Sequence, residues 1–443
     1  MDAEASGVIG AARSSGAAEQ AALPRSPTSM AINLAGVASF VVGLVCLRLF
    51  GARMHDQTAT LVAIASYAVP VIALEAVFLK PWRRTSTGFD FSRPAEAAYA
   101  RALWKLGGFL ATVALILGIY AVFPEYRGDF YRPFYRMLWQ VLPVAAMLAV
   151  PYFLVLERFN RSPFDGYWQV SLALRGKLRE IDRRALGQHL LGWLVKAFFT
   201  PLMFIYASNA VSRLRTFDPR WVFTDFTSFY DFTYDTLFAV DVVLAVTGYL
   251  LTVRLLDSHI RSTEPTLLGW AAALACYQPF WSFVEGNYLS YGSGGSTWGT
   301  WFSGSPAIYV AWACTILALT AVYLWATIPF GIRFSNLTHR GILTNGPYRF
   351  TKHPAYVSKN LSWWLISMPF LSSGGWQTAL RCSVMLLGLN CIYFLRARTE
   401  ERHLSRDPGY VAYAEAMEQR GIFRWLGRLV PALRFRPGRL LDL

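Results

Sequence analysis

The chain is short of charge. Lys, Arg, Asp and Glu make up 16% of its 443 residues, against roughly 25% in ordinary soluble domains. Apolar residues reach 54%, and mean hydropathy is +0.33. Those proportions exclude a water-soluble globular fold. Many apolar runs near ~20 residues point instead to an all-α, polytopic transmembrane helical protein. Cysteine is scarce too. Cys46, Cys276, Cys314, Cys382 and Cys391 all fall inside apolar runs, and none forms a CxxC pair. That excludes a disulfide framework and a zinc site, and leaves them as small core residues. No His, Cys or carboxylate cluster shows metal-ligand spacing. P-loop, nucleophile-elbow and dinucleotide glycine signatures are missing as well. Any nucleotide-derived cofactor would need a non-Rossmann site.

Acid is the scarcer sign: 27 Asp plus Glu against 42 Lys plus Arg, a net charge of +15. In a membrane chain this does not argue for nucleic acid. Basic cytoplasmic loops facing anionic lipid account for it. Ten spans are expected, roughly over 32–50, 60–79, 104–123, 137–156, 189–211, 236–254, 266–284, 306–330, 357–371 and 377–396. The ninth is short for a crossing and is expected to form a helical hairpin with the tenth across Ser372, Ser373, Gly374 and Gly375. If the N-terminal tail is inside and the sides alternate, inside segments carry 31 Lys plus Arg and outside segments 9. That asymmetry predicts both termini in the cytoplasm.

The organisation follows. Residues 1–30, rich in Ala, Ser and Gly and without a signal-peptide pattern, read as a disordered tail. Residues 31–300 read as a helical scaffold, 301–425 as the chemistry-bearing membrane core, and 426–443 as a basic tail. The aromatic outside loops 217–235 and 285–305 read as an interfacial belt. Glu75, Lys196, Asp241, Lys359, Asn360 and Asn390 fall inside spans, where polar groups face a cavity or a partner. Lys196 and Asp241 could pair, and Glu75 could reach the headgroups. The sequons at Asn160 and Asn336 lie on loops placed in the cytoplasm and are discounted. His339 and His403 are taken as surface residues.

Chemistry concentrates between Gly346 and Leu404. The first block reads GPYRFTKHPAYVSKNLSWW and the second RARTEERHLSRDPGYVAY. Gly346-Pro347 signals a turn. Tyr348, Phe350, His353 and Tyr356 follow at spacings of two to three, and Pro354 can open a helix as its first residue. The amino end of that helix favours a carboxylate. In the second block Arg396, Glu400 and Leu404 share a helix face, with Glu401 about 100° round. One glutamate can face a cavity while its neighbour faces water or an arginine. Asp407-Pro408 reads as a cap and first-turn proline, with Tyr410 and Tyr413 on one face beyond. Rings, an imidazole, a helix start and a glutamate together would suit S-adenosylmethionine: rings for the sulfonium, the helix start for the carboxylate, glutamate for the ribose hydroxyls.

These blocks resemble the C-terminal signature of the membrane methyltransferases related to isoprenylcysteine carboxyl methyltransferase and to phospholipid N-methyltransferases. The shared pattern is Gly-x-Tyr, Arg-His-Pro-x-Tyr-x-Gly, a glutamate pair with a leucine three residues on, and spaced tyrosines. It covers about 330–425. The resemblance implies S-adenosylmethionine as cofactor, bound on the cytoplasmic side by Gly346, Tyr348, Lys352, His353, Pro354, Tyr356, Glu400 and Glu401. Arg396 would sit near the reacting groups. Lys352 stands where the pattern has arginine, keeping the charge but losing the planar fork, and Ser358 stands where it has glycine. The implied reaction is methyl transfer to a lipophilic acceptor from the bilayer, an isoprenylcysteine-type carboxylate first and a phospholipid or other lipid amine second. Two rivals are an NADPH-dependent sterol-reductase-like enzyme and a non-enzymatic transporter or scaffold. The first seven spans lie outside the resemblance and are expected to shape acceptor choice or recruit a partner.

Overall fold

A computed structural model describes residues 23–92 and 99–435. The chain runs α1 (Met30–Phe50), α2 (Asp56–Leu74), α3 (Tyr99–Val122), α4 (Arg132–Phe159), α5 (Gly166–Leu174), α6 (Arg183–Thr216) and α7 (Phe226–Leu250). A short strand β1 (Ser262–Thr263) precedes α8 (Leu267–Leu274), α9 (Phe280–Asn287), α10 (Trp298–Phe302) and α11 (Pro306–Thr327). Strand β2 (Thr338–His339), α12 (Pro354–Ser367), α13 (Trp376–Leu404), α14 (Pro408–Arg420) and α15 (Arg424–Leu429) complete it.

Among the described residues, eight helical segments are long and apolar enough to cross a membrane. Their outer faces show large apolar side chains, among them Val42, Val69, Phe78, Trp139 and Met147, each more than 60% exposed. Such a surface belongs in lipid. The protein is an integral, multi-pass membrane protein. Two of the ten expected spans are not long helices. The stretch 266–284 breaks into α8 and α9 at Tyr277-Gln278-Pro279, where proline supplies no backbone donor. The stretch 357–371 is α12, whose 14 residues cover about 21 Å, less than the ~30 Å hydrocarbon core. It ends at Met368, in the left-handed region at φ 41°. Its main neighbour is α11 rather than α13, so the expected hairpin with the tenth span is looser than its connection suggests.

Local chemistry sets the helix starts. Asp182 accepts the backbone N–H groups of Arg184 and Ala185, opening α6, and Asp225 accepts that of Ser228, opening α7. Asp407 accepts the Gly409 N–H with Pro408 at the first helical position, as the sequence predicts for α14. α6 and α7 form the centre. Phe199, Phe204, Leu244 and Val246 lie in one apolar core with Phe40 of α1 and Tyr67 of α2.

Polar groups within the apolar spans are settled individually. Glu75 does not reach the headgroups. It is fully buried and takes a two-pronged bond from Arg333, at 2.7 and 2.9 Å. Arg333 also donates to the carbonyls of Leu256 and Asp257. Gly331 makes this possible: its φ is +54°, and a Cβ there would lie 2.6 Å from Asn33 Oδ1. Lys196 and Asp241 do not pair. The Lys196 ammonium sits 3.9 Å from the Trp193 ring centroid, and Asp241 accepts hydroxyls from Thr327 and Tyr323. Residues 1–22 of the expected tail and 436–443 of the basic tail lie outside the described residues. Residues 24–28 run against the C-terminal core. Thr28 donates to the Pro329 carbonyl, and Thr344 to that of Pro24.

Replacing Glu75 with alanine leaves a buried guanidinium unpaired, at a cost of roughly 3–5 kcal/mol. A marked fall in unfolding temperature in detergent is expected, and Glu75→Leu combined with Arg333→Met should recover most of it. An unchanged transition in Glu75→Ala would show that the pair does not hold α2 to the chain after α11.

Candidate functional site

The site forms where α11 ends and the chain runs through β2, α12, α13 and α14. Residues 328–343 leave α11 and pair with the scaffold through β2, with Ser262 opposite His339 and Thr263 opposite Thr338. Residues 346–353 then lead into α12. α13 is 29 residues long, about 43 Å, and its last turns run on beside this loop. α14 closes the far side. Between them lies a cavity of about 1450 Å³, open solvent at its mouth included.

One carboxylate ties the pieces together. Glu401, 2% exposed, accepts His353 Nε2–H at 3.1 Å, Lys352 Nζ at 2.8 Å and Arg398 Nη1 at 2.8 Å. Lys352 bridges on to Glu418 of α14 at 2.7 Å, and Glu418 accepts the Phe435 N–H. Here a lysine serves as a point charge between two carboxylates, a role that needs no planar fork. Tyr413 donates to the carbonyl of Tyr348 at 2.8 Å, closing α14 over the loop. Burial, with Glu400 nearby, pushes the Tyr348 hydroxyl well above its ordinary value. The same cause raises Tyr410, so both remain neutral donors.

The sequence-predicted residues divide. Tyr348, Lys352, His353, Tyr356, Arg396 and Glu400 line the cavity; Gly346, Pro354 and Glu401 do not. Gly346 is a turn residue at φ +57°, where a Cβ would lie 2.9 Å from Pro329 Cγ. Pro354 opens α12, whose cap residue His353 makes no side-chain capping bond, so the first-turn N–H groups are left without a side-chain cap. Glu400 faces the cavity and accepts the Tyr356 hydroxyl at 2.6 Å. The His353 and Tyr356 rings stack at 5.5 Å. Ser358 is buried, and its hydroxyl bonds back to the Pro354 carbonyl.

Arg396 is 8% exposed and has no carboxylate partner among the described residues. It donates to Asn336 Oδ1, and its guanidinium lies 5.4–5.7 Å from the rings of Tyr277, Tyr356 and Tyr393. The Asn336 amide is held in turn by the hydroxyls of Tyr249 and Tyr277, at 2.9 and 3.2 Å.

Several of these partners escape sequence reasoning. Asn336 registers only as a discounted sequon. Tyr393 does carry a signal, since 393, 396 and 400 share one helix face. Tyr277 and Glu264 carry none. Glu264 is 2% exposed on the cavity wall. Its Oε1 accepts the Thr266 N–H at 2.9 Å, and its Oε2 has no partner among the described residues. His339 and His403 are buried rather than on the surface. His403 Nε2 meets the Ser262 hydroxyl at 2.9 Å, His339 lies 3.4 Å from Asp407, and burial lowers the His339 pKa against that carboxylate's pull.

Residues 309–406 match the model of the isoprenylcysteine carboxyl methyltransferase (ICMT) family. The match runs from α11 to the turn after α13, under a quarter of the chain. It takes in Arg396, Glu400 and Glu401, and leaves out Glu264, Tyr277, Tyr410 and Tyr413. No curated protein and no solved structure matches the chain. A methyltransferase-family segment thus sits at the end of a multi-pass membrane framework.

The two glutamates should respond differently to removal. Glu401→Ala takes the shared acceptor from Lys352, His353 and Arg398, all half-buried, and should cost roughly 1.5–3 kcal/mol, whereas Glu400→Ala, at an exposed position, should stay within about 0.5 kcal/mol. Thermal unfolding of both variants in detergent checks this. Equal effects would dissolve the distinction between clasp and cavity wall.

Proposed function

We propose that the protein is an S-adenosylmethionine-dependent methyltransferase that esterifies the carboxylate of a lipophilic acceptor, in the manner of isoprenylcysteine carboxyl methylation, at a site open to the cytosol. The observation that carries this reading is Arg396: a buried guanidinium, fixed by Asn336 and ringed by three tyrosines, with no acid of its own among the described residues. A carboxylate completes it, and a guanidinium–carboxylate pair in a partly dry cavity is strong and geometrically defined.

The residues present fit the cofactor. The unpartnered Glu264 Oε2 and the Glu400 carboxylate offer acceptors to hydroxyl or amine donors. The uncapped start of α12 offers N–H groups to a carboxylate. Tyr348, Tyr356 and Tyr410 present rings to a cation. When bound, the cofactor supplies an electrophilic methyl on a sulfonium, which a carboxylate oxygen takes by displacement as a thioether leaves.

The chain's own part is positioning. Arg396 holds the acceptor carboxylate, Asn336 fixes the guanidinium, and the tyrosine rings exclude water. No proton has to move, because a carboxylate is already a nucleophile. The reductase reading finds less support. Lys352 is engaged by Glu401 and Glu418 and does not offer itself to a 2′-phosphate. Glu264, Gly269 and Tyr277 reach the cavity from the scaffold, in keeping with a scaffold role in acceptor choice.

Binding and turnover separate the roles. S-adenosylmethionine should titrate saturably into the purified chain in nanodiscs, and Glu400→Ala should weaken it at least tenfold, about 1.4 kcal/mol. Arg396→Ala should keep cofactor affinity while methylation of N-acetyl-S-farnesylcysteine falls on the order of 100-fold. No binding by the wild type sinks the reading. Weakened binding with unchanged turnover in Arg396→Ala removes Arg396 from the acceptor.

A further inference from the structure

A second cation shares the cavity wall with Arg396. Lys359 lies on α12, five residues beyond its first. Its ammonium stands 5.2 Å from the Trp363 ring centroid, 5.3 Å from that of Tyr323 and 5.8 Å from that of Tyr393. It forms no ion pair and no side-chain hydrogen bond among the described residues. Both Lys359 and Arg396 lie within 5.8 Å of the one Tyr393 ring, so they bracket a single part of the cavity.

The acids nearby are committed elsewhere. Asp241 takes the Thr327 hydroxyl on one oxygen at 2.7 Å and the Tyr323 hydroxyl on the other at 3.1 Å. Tyr323 thus offers its ring to Lys359 and its hydroxyl to Asp241. Glu400 is held by Tyr356, and Glu401 by His353, Lys352 and Arg398. An ammonium has three N–H donors. Ring faces attract it but do not replace hydrogen-bond acceptors of full strength. Asp241 acts on it only across space, with both oxygens already bonded, so a half-buried ammonium in the cavity wall with no acid in hydrogen-bond reach among the described residues suits an anionic ligand.

We infer that Lys359 is a second anion anchor beside Arg396, and that the acceptor carries two acidic groups on its polar head, as a lipophilic dicarboxylate does. This rests on the carboxylate-acceptor reading above. Arg396 holds the carboxylate that is esterified, and Lys359 holds the other. The product is a half-ester. One oxygen–methyl bond forms, the methyl–sulfur bond breaks with its electron pair left on sulfur, and no proton is exchanged.

Two probes that differ by one carboxyl group test it: S-farnesylmercaptosuccinate, a diacid, and S-farnesyl-3-mercaptopropionate, a monoacid. Each is titrated into the full chain in nanodiscs, with S-adenosylmethionine titrated separately. The wild type should bind the diacid at least tenfold more tightly. Lys359→Met should bind the two alike, and Lys359→Arg should keep the preference. Equal affinities in the wild type overturn the inference whatever the variants do, and so does a preference that survives in Lys359→Met. If the cofactor fails to bind while the wild type still prefers the diacid, the methyltransferase reading falls and the assignment of Lys359 stands.

Discussion

The Glu401 carboxylate receives bonds from a residue just before α12, from that helix's cap and from its own helix α13, and through Lys352 it reaches α14. Apart from α13, each of these segments alone is a short piece with little reason to stay in place. α12 is too short to be anchored by the bilayer, and α14 has no apolar run of membrane length. A buried carboxylate that takes two cationic donors and an imidazole N–H supplies the missing constraint, because a member that leaves strips charge-assisted bonds from the others in a partly dry surrounding. Aligned groups in the cavity follow from it. His353 is held by its ring nitrogen, so its stacked partner Tyr356 is placed, and Tyr356 in turn orients Glu400.

A second constraint of the same kind lies deeper. Glu75 and Arg333 join α2 to the chain leaving α11, and Arg340 beyond it donates to the carbonyls of Gly248, Leu251, Ser258 and Phe334. Burial lowers the Arg340 pKa to about 9, yet the side chain answers the unpaired carbonyls at the end of α7. These contacts, with the β1–β2 pair, fasten the matched segment to a scaffold that the family model does not cover. The site is therefore a joint product. Residues 309–406 supply Arg396 and Glu400, while Glu264 and Tyr277 come from the chain before it.

How far the sequence could be read depends on the range of the interaction. Apolar runs depend on local composition, so most spans are legible, and the exceptions are those where one proline or a short run decides. Pro279 breaks one helix, and α12 ends after 14 residues. The differing positions of Glu400 and Glu401 follow from helical geometry, because 100° of rotation cannot serve one surface twice. Pairings across hundreds of residues are another matter. Glu75 and Arg333 are 258 positions apart, and nothing near either names the other. Lys196 and Asp241 are opposite charges on neighbouring helices, yet side-chain direction sends one to a tryptophan ring and the other to hydroxyls. His403 is buried on the cavity wall, where it meets Ser262 141 positions away, a contact that its neighbours in sequence do not reveal.

The charge balance of the cavity bears on the choice between carboxylate and amine acceptors. An amine arrives at neutral pH as an ammonium and must lose a proton before it can attack. It would enter a space where Arg396 and Lys359 have no acid of their own among the described residues, and like charges at such range in a partly dry cavity repel by several kcal/mol. Of the cavity-wall carboxylates, Glu400 is already bonded to Tyr356. An anionic acceptor meets none of these difficulties. It relieves both cations, needs no base, and brings the charge that cancels a sulfonium on transfer. On the proposed methyltransferase reading, electrostatics thus favours oxygen over nitrogen as the receiving atom, on the strength of two cations with no acid in hydrogen-bond reach among the described residues.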